Sequence, residues 1–353
     1  MQTLLLRSLL ILCVSCFSLL AKGQDARFAQ FYAAPLELNP AMLGVFEGQF
    51  RFVANYRSLY SSILDNRPYR TISASFDMRH RIMSGDYFAL GFSAQRDDAG
   101  LSRFNHTQVN LGGSFLKQLG GSGYRASDQY LVAGAQVGLG QRGLTYDQLW
   151  FSQQFRTGPN TAFIDTEADN GESFSEDNTG LYLDFNAGLL WYATFDKNAS
   201  IYLGGAMYHI NSPNVATLVD GDAKLYSRWV VHGGGELPMG DNLSLLPAVL
   251  VMKQGPSFST NAGANFRYTR RDWQELALRA GLWAHLSNQG ESMGVDAVIF
   301  AAILELERWN LGFSYDITTS TLATSNNSRG AFEISMIYTH REKSRYRINC
   351  PKF

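Results

Sequence analysis

The chain is short of charge. Asp, Glu, Lys and Arg make up 17% of its 353 residues, against about 25% in an ordinary soluble domain. What charge there is cancels to a formal −1, which excludes a strong field for nucleic acid or anionic lipid. Past the first two dozen residues no run approaches the roughly 18 consecutive apolar residues of a spanning helix. Cysteine is scarce: Cys13, Cys16 and Cys350 are the three, too few for a disulfide framework. Abundant instead are aromatics, at 13%, and glycine, at 33 residues.

The first residues, MQTLLLRSLLILCVSCFSLLAKGQ, have the order of an export leader. Arg7 gives a positive start, and Leu9 to Leu20 form an apolar core too short to cross a bilayer. Ala21 and Gly23 occupy the −3 and −1 positions of a small-residue cleavage site, so residues 1–23 read as a signal peptide and Gln24 as the mature start. The competing readings are a membrane anchor and, through Cys16, a lipoprotein box. For the latter, Cys13 stands where leucine belongs. Removal of the leader takes Cys13 and Cys16 with it. Cys350 is then a lone thiol, either tucked against the body or available to another chain.

Export, low charge, much Tyr and Gly and no spanning helix together point to an outer-membrane β-barrel. Periodicity agrees. In LYLDFNAGLLWYAT, Leu181, Leu183, Phe185, Ala187, Leu189 and Trp191 alternate with Tyr182, Asp184, Asn186, Gly188 and Tyr192. ELALRAGLWAHL, RWVVHGGGEL and RGAFEISMIYTH repeat the pattern, and period two is the strand signal. About 14 such segments start near Gly48, Arg70, Tyr87, Phe104, Gln129, Leu181, Ser200, Ser227, Asn242, Phe258, Glu275, Met293, Arg308 and Gly330. Each is long enough for the roughly 9–11 residues of a tilted membrane strand. The fold class expected is all-β: a transmembrane antiparallel barrel of about 14 strands over residues 48–341. A short N-terminal periplasmic plug (24–47) precedes it and a periplasmic tail (342–353) follows.

Connection lengths broadly suit a periplasmic N-terminus, with long outward loops after odd strands. Arg142–Gly180, Asn211–Tyr226, Ser58–Tyr69 and Thr319–Arg329 are the long ones. Lys117–Asp128 is longer than that rule wants and Lys253–Ser257 shorter.

Two stretches carry a resemblance. QDARFAQFYAAPLELNPAMLG, Gln24 to Gly44, and the close FEISMIYTH…CPKF are similar to the opening and the ending of the PorP/SprF family. That family comprises outer-membrane components of the type IX secretion and gliding machinery. The resemblance implies a barrel without chemistry of its own that works with type IX secretion machinery subunits. Its outward loops would meet secreted cargo or the C-terminal signal domain of that cargo, and its outer wall would meet outer-membrane lipid. The candidate partner-binding residues are Phe28, Phe31, Tyr32, Asn39 and Pro40 at one end and Cys350, Pro351 and Phe353 at the other. Asn39 suits a helix N-cap and Pro40 a first helical position. Phe28, Phe31 and Tyr32 would anchor the segment in the periplasmic mouth; a loose leader with one turn is the alternative.

Other signals are weaker. Asp165, Glu167, Asp169 and Glu176 fall at positions one, three, five and twelve of a calcium loop, but position six is Asn170, with Gly171 one place late. A structural calcium ion and a solvated acidic loop both stay open there, and no other cofactor is expected. None of the six histidines lies in a nucleophile or zinc spacing, so no enzyme is expected. Asp184, Arg228, Glu236, Arg279, Asp296 and Glu333 fall on the inner face, where they would pair with one another or line a solute path. The GGG at Gly233–Gly235 marks a kink or a close approach. The reading that competes with a secretion component is a channel for a small or hydrophobic solute.

Overall fold

In the computed structural model the described residues are 25–64, 67–83, 85–100, 102–120, 128–145, 149–158, 161–172, 180–196, 199–217, 221–270, 276–289, 292–340 and 350–352. The leader, Glu176, the basic run before Cys350 and the final Phe353 lie outside them, as do Gly121–Gly123. Sixteen strands follow in chain order: β1 (Phe50–Leu59), β2 (Tyr69–Arg81), β3 (Tyr87–Ala99), β4 (Phe104–Gly120), β5 (Asp128–Gly143), β6 (Phe155–Thr157), β7 (Ala162–Ile164) and β8 (Tyr182–Asp196). The second half holds β9 (Ala199–Tyr208), β10 (Arg228–Pro238), β11 (Leu243–Gln254), β12 (Ser257–Thr269), β13 (Ala277–Gln289), β14 (Ser292–Glu305), β15 (Trp309–Thr318) and β16 (Arg329–His340).

All but β6 and β7 form one closed antiparallel barrel, in which β1 pairs with β16. Fourteen strands close the wall, and no start differs from the sequence expectation by more than two residues. Closure matters physically, because a sheet edge in hydrocarbon would leave backbone groups unpaired at several kcal/mol each. The two faces separate as the alternation requires. Leu111, Leu203, Phe300 and Phe313 stand exposed on the outside, as lipid-facing positions do. Asp184, Glu333, Asn186 and His232 are buried on the inside.

The wall has local irregularities. Between β13 and β14 the register shifts so that Asp296 bulges out of the ladder. Between β10 and β11 pairing lapses after Gly234 and resumes at Leu237 opposite Leu245, beside Pro247. A side chain at Gly234 would sit 2.6 Å from the Pro247 carbonyl, so the GGG run marks a close approach of β10 to β11. β4 continues to Gly120, which makes the Lys117–Asp128 connection shorter than the sequence suggests. β11 and β12 are joined by a tight turn, Gly255–Pro256, an exception to the long-outward-loop rule that stands.

Residues 25–46 lie inside the barrel. They form a 3-10 turn (Phe31–Ala33), one α-helical turn (Pro35–Leu38) and a second 3-10 turn (Pro40–Met42). The segment is not confined to the mouth from which β1 departs. Asp25 lies beside His209 and Gln254, at the end where the long loops gather, and the chain descends from there to Gly44 beside Asp77. Sequence periodicity carries no trace of this direction, since the segment is neither strand nor regular helix.

Candidate functional site

The lumen is the site, and its contents are set by two sequence features. One is the polar inner face of each strand. The other is an N-terminal segment with too few polar side chains to satisfy its own irregular backbone. Non-helical backbone at membrane depth is tolerated only where protein groups bond it, and here the wall does so at each level.

At the long-loop end the Asp25 amide donates to Gln254 Oε1 (3.0 Å). The Asp25 carboxylate meets His209 Nε2 at 2.6 Å and Arg228 Nη1 at 3.2 Å. His209 Nδ1 lies 2.9 Å from Asp184, which also accepts from Gln108 at 2.6 Å. His209 follows β9 with a positive φ of 55°, which turns its ring inward between the two carboxylates. Burial opposes the ring's charge, but Asp25 and Asp184 raise its pKa to about 9. For Asp25 burial works toward protonation, yet His209 and Arg228 hold the carboxyl well below its usual range.

One level further in, the consecutive amides of Ala29 and Gln30 donate to the two oxygens of Glu333 (2.7 and 3.0 Å). Arg57 bridges Glu333 and Asp316 at 3.0 and 2.6 Å. The Gln30 side chain adds bonds to Ser314 and Ser335. Phe31 and Tyr32 pack on Trp283, with ring centroids 5.3 and 5.6 Å away. Phe28 is buried nearby. Asn55 donates to the Ala33 carbonyl at 3.1 Å, and Tyr208 to that of Leu36 at 3.2 Å.

The Asn39-Pro40-Ala41 turn is seated in the wall of β5, β8 and β9. Asn39 Oδ1 accepts from the Ala41 amide (2.8 Å), the cap its side chain suits, with Pro40 in the first helical position. Its Nδ2 reaches the Leu189 carbonyl and His232 Nε2, both at 3.0 Å. Three glycines make room. A Cβ at Gly188 would lie 2.0 Å from Asn39 Oδ1, one at Gly134 2.4 Å from the Pro40 carbonyl, and one at Gly204 2.4 Å from His232.

At the short-turn end Arg51 grips Asp77 with two nitrogens (3.0 and 2.8 Å). The same guanidinium donates to the Met42 carbonyl (3.1 Å), and Asp77 accepts the Gly44 amide (2.8 Å). Gly44 has φ 77°, a conformation in which a Cβ is strained. Arg79 donates to the Gly44 carbonyl (3.1 Å) and approaches Cys350 Sγ at 3.5 Å. Cys350 is buried against Arg79 and Tyr192. Burial pushes the thiol up despite Arg79. Pro351 is buried beside it, and Lys352 reaches Glu236 at 3.4 Å. Arg279 and Arg267 converge on Glu305 nearby.

Phe28, Phe31, Tyr32, Asn39, Pro40, Cys350 and Pro351 are therefore all turned into the lumen of this chain. The inner-face charges do pair, but largely with residues the sequence did not single out: Asp184 with His209, Glu333 with Arg57, Arg279 with Glu305. Arg51 and Arg57 were open to discovery, since with Val53 and Asn55 they make the inner face of β1 at period two. The acidic residues are elsewhere, in the outer loop. Asp165 and Asp169 accept from the backbone of Glu167 and Gly171 in their own turns, and Gly171 takes the positive φ. Glu176 lies outside the described residues. Among the described residues no three His, Cys, Asp or Glu side chains converge to hold a metal ion.

A closed barrel with an apolar exterior and a charged, packed interior defines a transmembrane β-barrel protein. More particularly, the chain belongs to the PorP/SprF family, described as type IX secretion system membrane proteins, whose profile matches residues 20–338. It is a membrane component of that secretion system, located in the outer membrane. No curated protein matches the chain significantly. Among solved structures it is similar to a Pseudomonas aeruginosa FadL homologue (10% identity, TM-score 0.45, 85% of this chain and 92% of that one). It is also similar to the CymD monoaromatic hydrocarbon channel (13%, 0.43, 91% and 96%). Neither likeness bears on what this chain handles.

Three outcomes test this account of the lumen. Gly188→Ala forces Asn39 from its seat at about 1–3 kcal/mol; proteolysis within residues 25–46 should rise while the heat-modifiable barrel band on gels persists. Asp77→Asn leaves Arg51 buried without its charge partner and should cost about 3–5 kcal/mol, read as a lower thermal midpoint in detergent. The third is a pH dependence. His209 has a folded pKa above its unfolded value, so its contribution is complete below about pH 6.5 and is lost as pH rises through about 9. Trypsin should cut after Arg27 above that pH and not at neutrality, and His209→Gln should allow the cut at neutral pH, roughly tenfold faster or more.

Proposed function

We propose that this chain is a non-enzymatic outer-membrane anchor of the type IX machinery, which supports secretion or surface retention of adhesin-type cargo. The observation that carries the reading is the seated N-terminal segment. It runs through the lumen, bonded to the wall at each level, and the cavities beside it are small. One of about 110 Å³ lies among Arg27, Tyr60, His285 and Asp296 at the long-loop end. Another of about 230 Å³ lies among Phe46, Arg267, Glu305 and Lys352 at the short-turn end. A filled, cross-bonded lumen suits a scaffold better than a solute path.

The rest of the reading follows from where free surface remains. With the lumen occupied, the long-loop end would meet secreted polypeptide, chiefly through residues 144–181. The short-turn end, where Glu47 and Gln49 are exposed and Lys352 is half-buried, would meet machinery subunits. A hydrolytic role is disfavoured by the histidines themselves. Both ring nitrogens of His209 are engaged by carboxylates, and His232 is bound to Asn39. Neither ring has a nucleophile to activate.

The test is conductance of the purified barrel in planar bilayers. The scaffold reading expects no stable single-channel steps from the intact chain, and steps from a chain with Asp77→Asn and Glu333→Gln combined, which unfastens the segment at two levels. Steady conductance or solute uptake by the intact chain would instead favour a channel for a small or hydrophobic solute.

A further inference from the structure

The long loop between β5 and β8 holds a feature that the anchor reading leaves without a partner. Among the described residues β6 and β7 pair only with each other, and all six of their residues are exposed. The hairpin is not loose at its root. Gln154 is buried, donates to the Ala168 carbonyl at 3.0 Å and accepts from the Phe151 amide at 3.1 Å. The Asp165 amide closes on the Gln154 carbonyl at 2.8 Å, and the Gly158 amide on the Thr161 carbonyl at 2.7 Å.

Those two bonds set the phase of the ladder. In an antiparallel pair, hydrogen-bonded residues alternate with residues whose amides and carbonyls point away. The bonded positions are 154 with 165, 156 with 163 and 158 with 161. Along one edge the Phe155 amide is taken by the Ser152 carbonyl, while the backbone groups of Ala162 and Ile164 face out along the other. Natural proteins blunt such edges with lysine, proline, bulges or a cover. Here the strands carry Phe155, Phe163 and Ile164, with Trp150 at the root, each 43–55% exposed, and Arg156 as their one charged residue.

Charge selects the occupant. Residues 144–180 contain seven acidic side chains, Asp147, Asp165, Glu167, Asp169, Glu172, Glu176 and Asp177, against one basic, Arg156. A second copy would bring like charges together, and anionic lipid headgroups are repelled in the same way. An extended strand with basic residues meets both demands: its backbone bonds the open edge and its cations meet the acids. The β7 edge runs directly into Asp165, Glu167 and Asp169, so the charges extend that edge rather than the other.

We propose that the β7 edge is a β-augmentation dock for a basic, apolar-alternating strand of a secreted polypeptide. This rests on the reading that the long-loop end meets such polypeptides. Main-chain bonds supply the affinity and the acidic run supplies selection of partner.

The test has two arms. The first titrates the purified full-length barrel in detergent with a labelled peptide, Lys-Thr-Val-Lys-Val-Thr-Lys, and with its glutamate counterpart. Binding of the lysine peptide that weakens with salt is expected. Ile164→Pro, which removes an outward amide but no bond within the hairpin, should reduce it roughly tenfold or more, as should Asp165, Glu167 and Asp169 changed together to Lys. Ile164→Thr, which keeps the amide, should retain most of it. Equal binding by all variants, or preference for the acidic peptide, overturns the dock. The second arm follows surface retention of secreted protein in cells lacking residues 149–172. Loss of retention there, with peptide binding indifferent to Ile164→Pro and to charge reversal, overturns the dock and leaves the anchor reading standing. Unchanged retention with edge-dependent peptide binding supports the dock and counts against the anchor reading.

Discussion

The structure depends on one constraint: irregular backbone at membrane depth must be hydrogen-bonded by protein. Residues 25–46 are irregular, and an unsatisfied amide or carbonyl in a dry setting costs several kcal/mol. The barrel wall meets this with carboxylates, guanidiniums and amides placed along the tube. Glu333 takes two successive amides, Asp77 takes that of Gly44, and Arg51, Asn55 and Arg79 give to carbonyls. Segment and wall are thus complementary in donors and acceptors.

That complementarity explains the charged interior. Buried charges are stable only when paired and further bonded, and here Arg51 with Asp77, Arg57 with Glu333 and His209 with Asp25 each join the wall to the segment or to another strand. Arg57 links β1 to Asp316 and Glu333, so the pair of strands that closes the barrel also holds the carboxylate that seats the segment. Wall and contents consolidate each other. The Cys350–Lys352 end adds to this at the short-turn mouth, where Arg79 touches both Gly44 and Cys350. With the interior committed in this way, the variable surfaces are the loops, and the loop between β5 and β8 is the longest.

Much of the wall was legible in the sequence. Long membrane strands alternate strictly, so β8 and β13 show their inner and outer faces at a glance, and the strand starts fall within two residues of expectation. The Asn39 cap and Pro40 position follow from local chemistry. What lies between distant parts of the chain was not legible. Arg57 and Glu333 become neighbours only when β1 meets β16. His209 sits in a loop with no periodic signal, and its partners are 184 and 25 residues away. Nothing local indicates that Asp25 lies at the long-loop end. β6 and β7 were missed for another reason: three residues are too few for alternation to register.

The most direct test of the central claim, that the N-terminal segment is seated in the lumen, is photocrosslinking in intact cells. Tyr32 is replaced by p-benzoylphenylalanine, and the products are mapped by mass spectrometry. The account predicts an intramolecular crosslink to the peptide of β13 that carries Trp283, which lies against the Tyr32 ring. Crosslinks to a separate polypeptide, or to solvent-facing loops in place of β13, would contradict it.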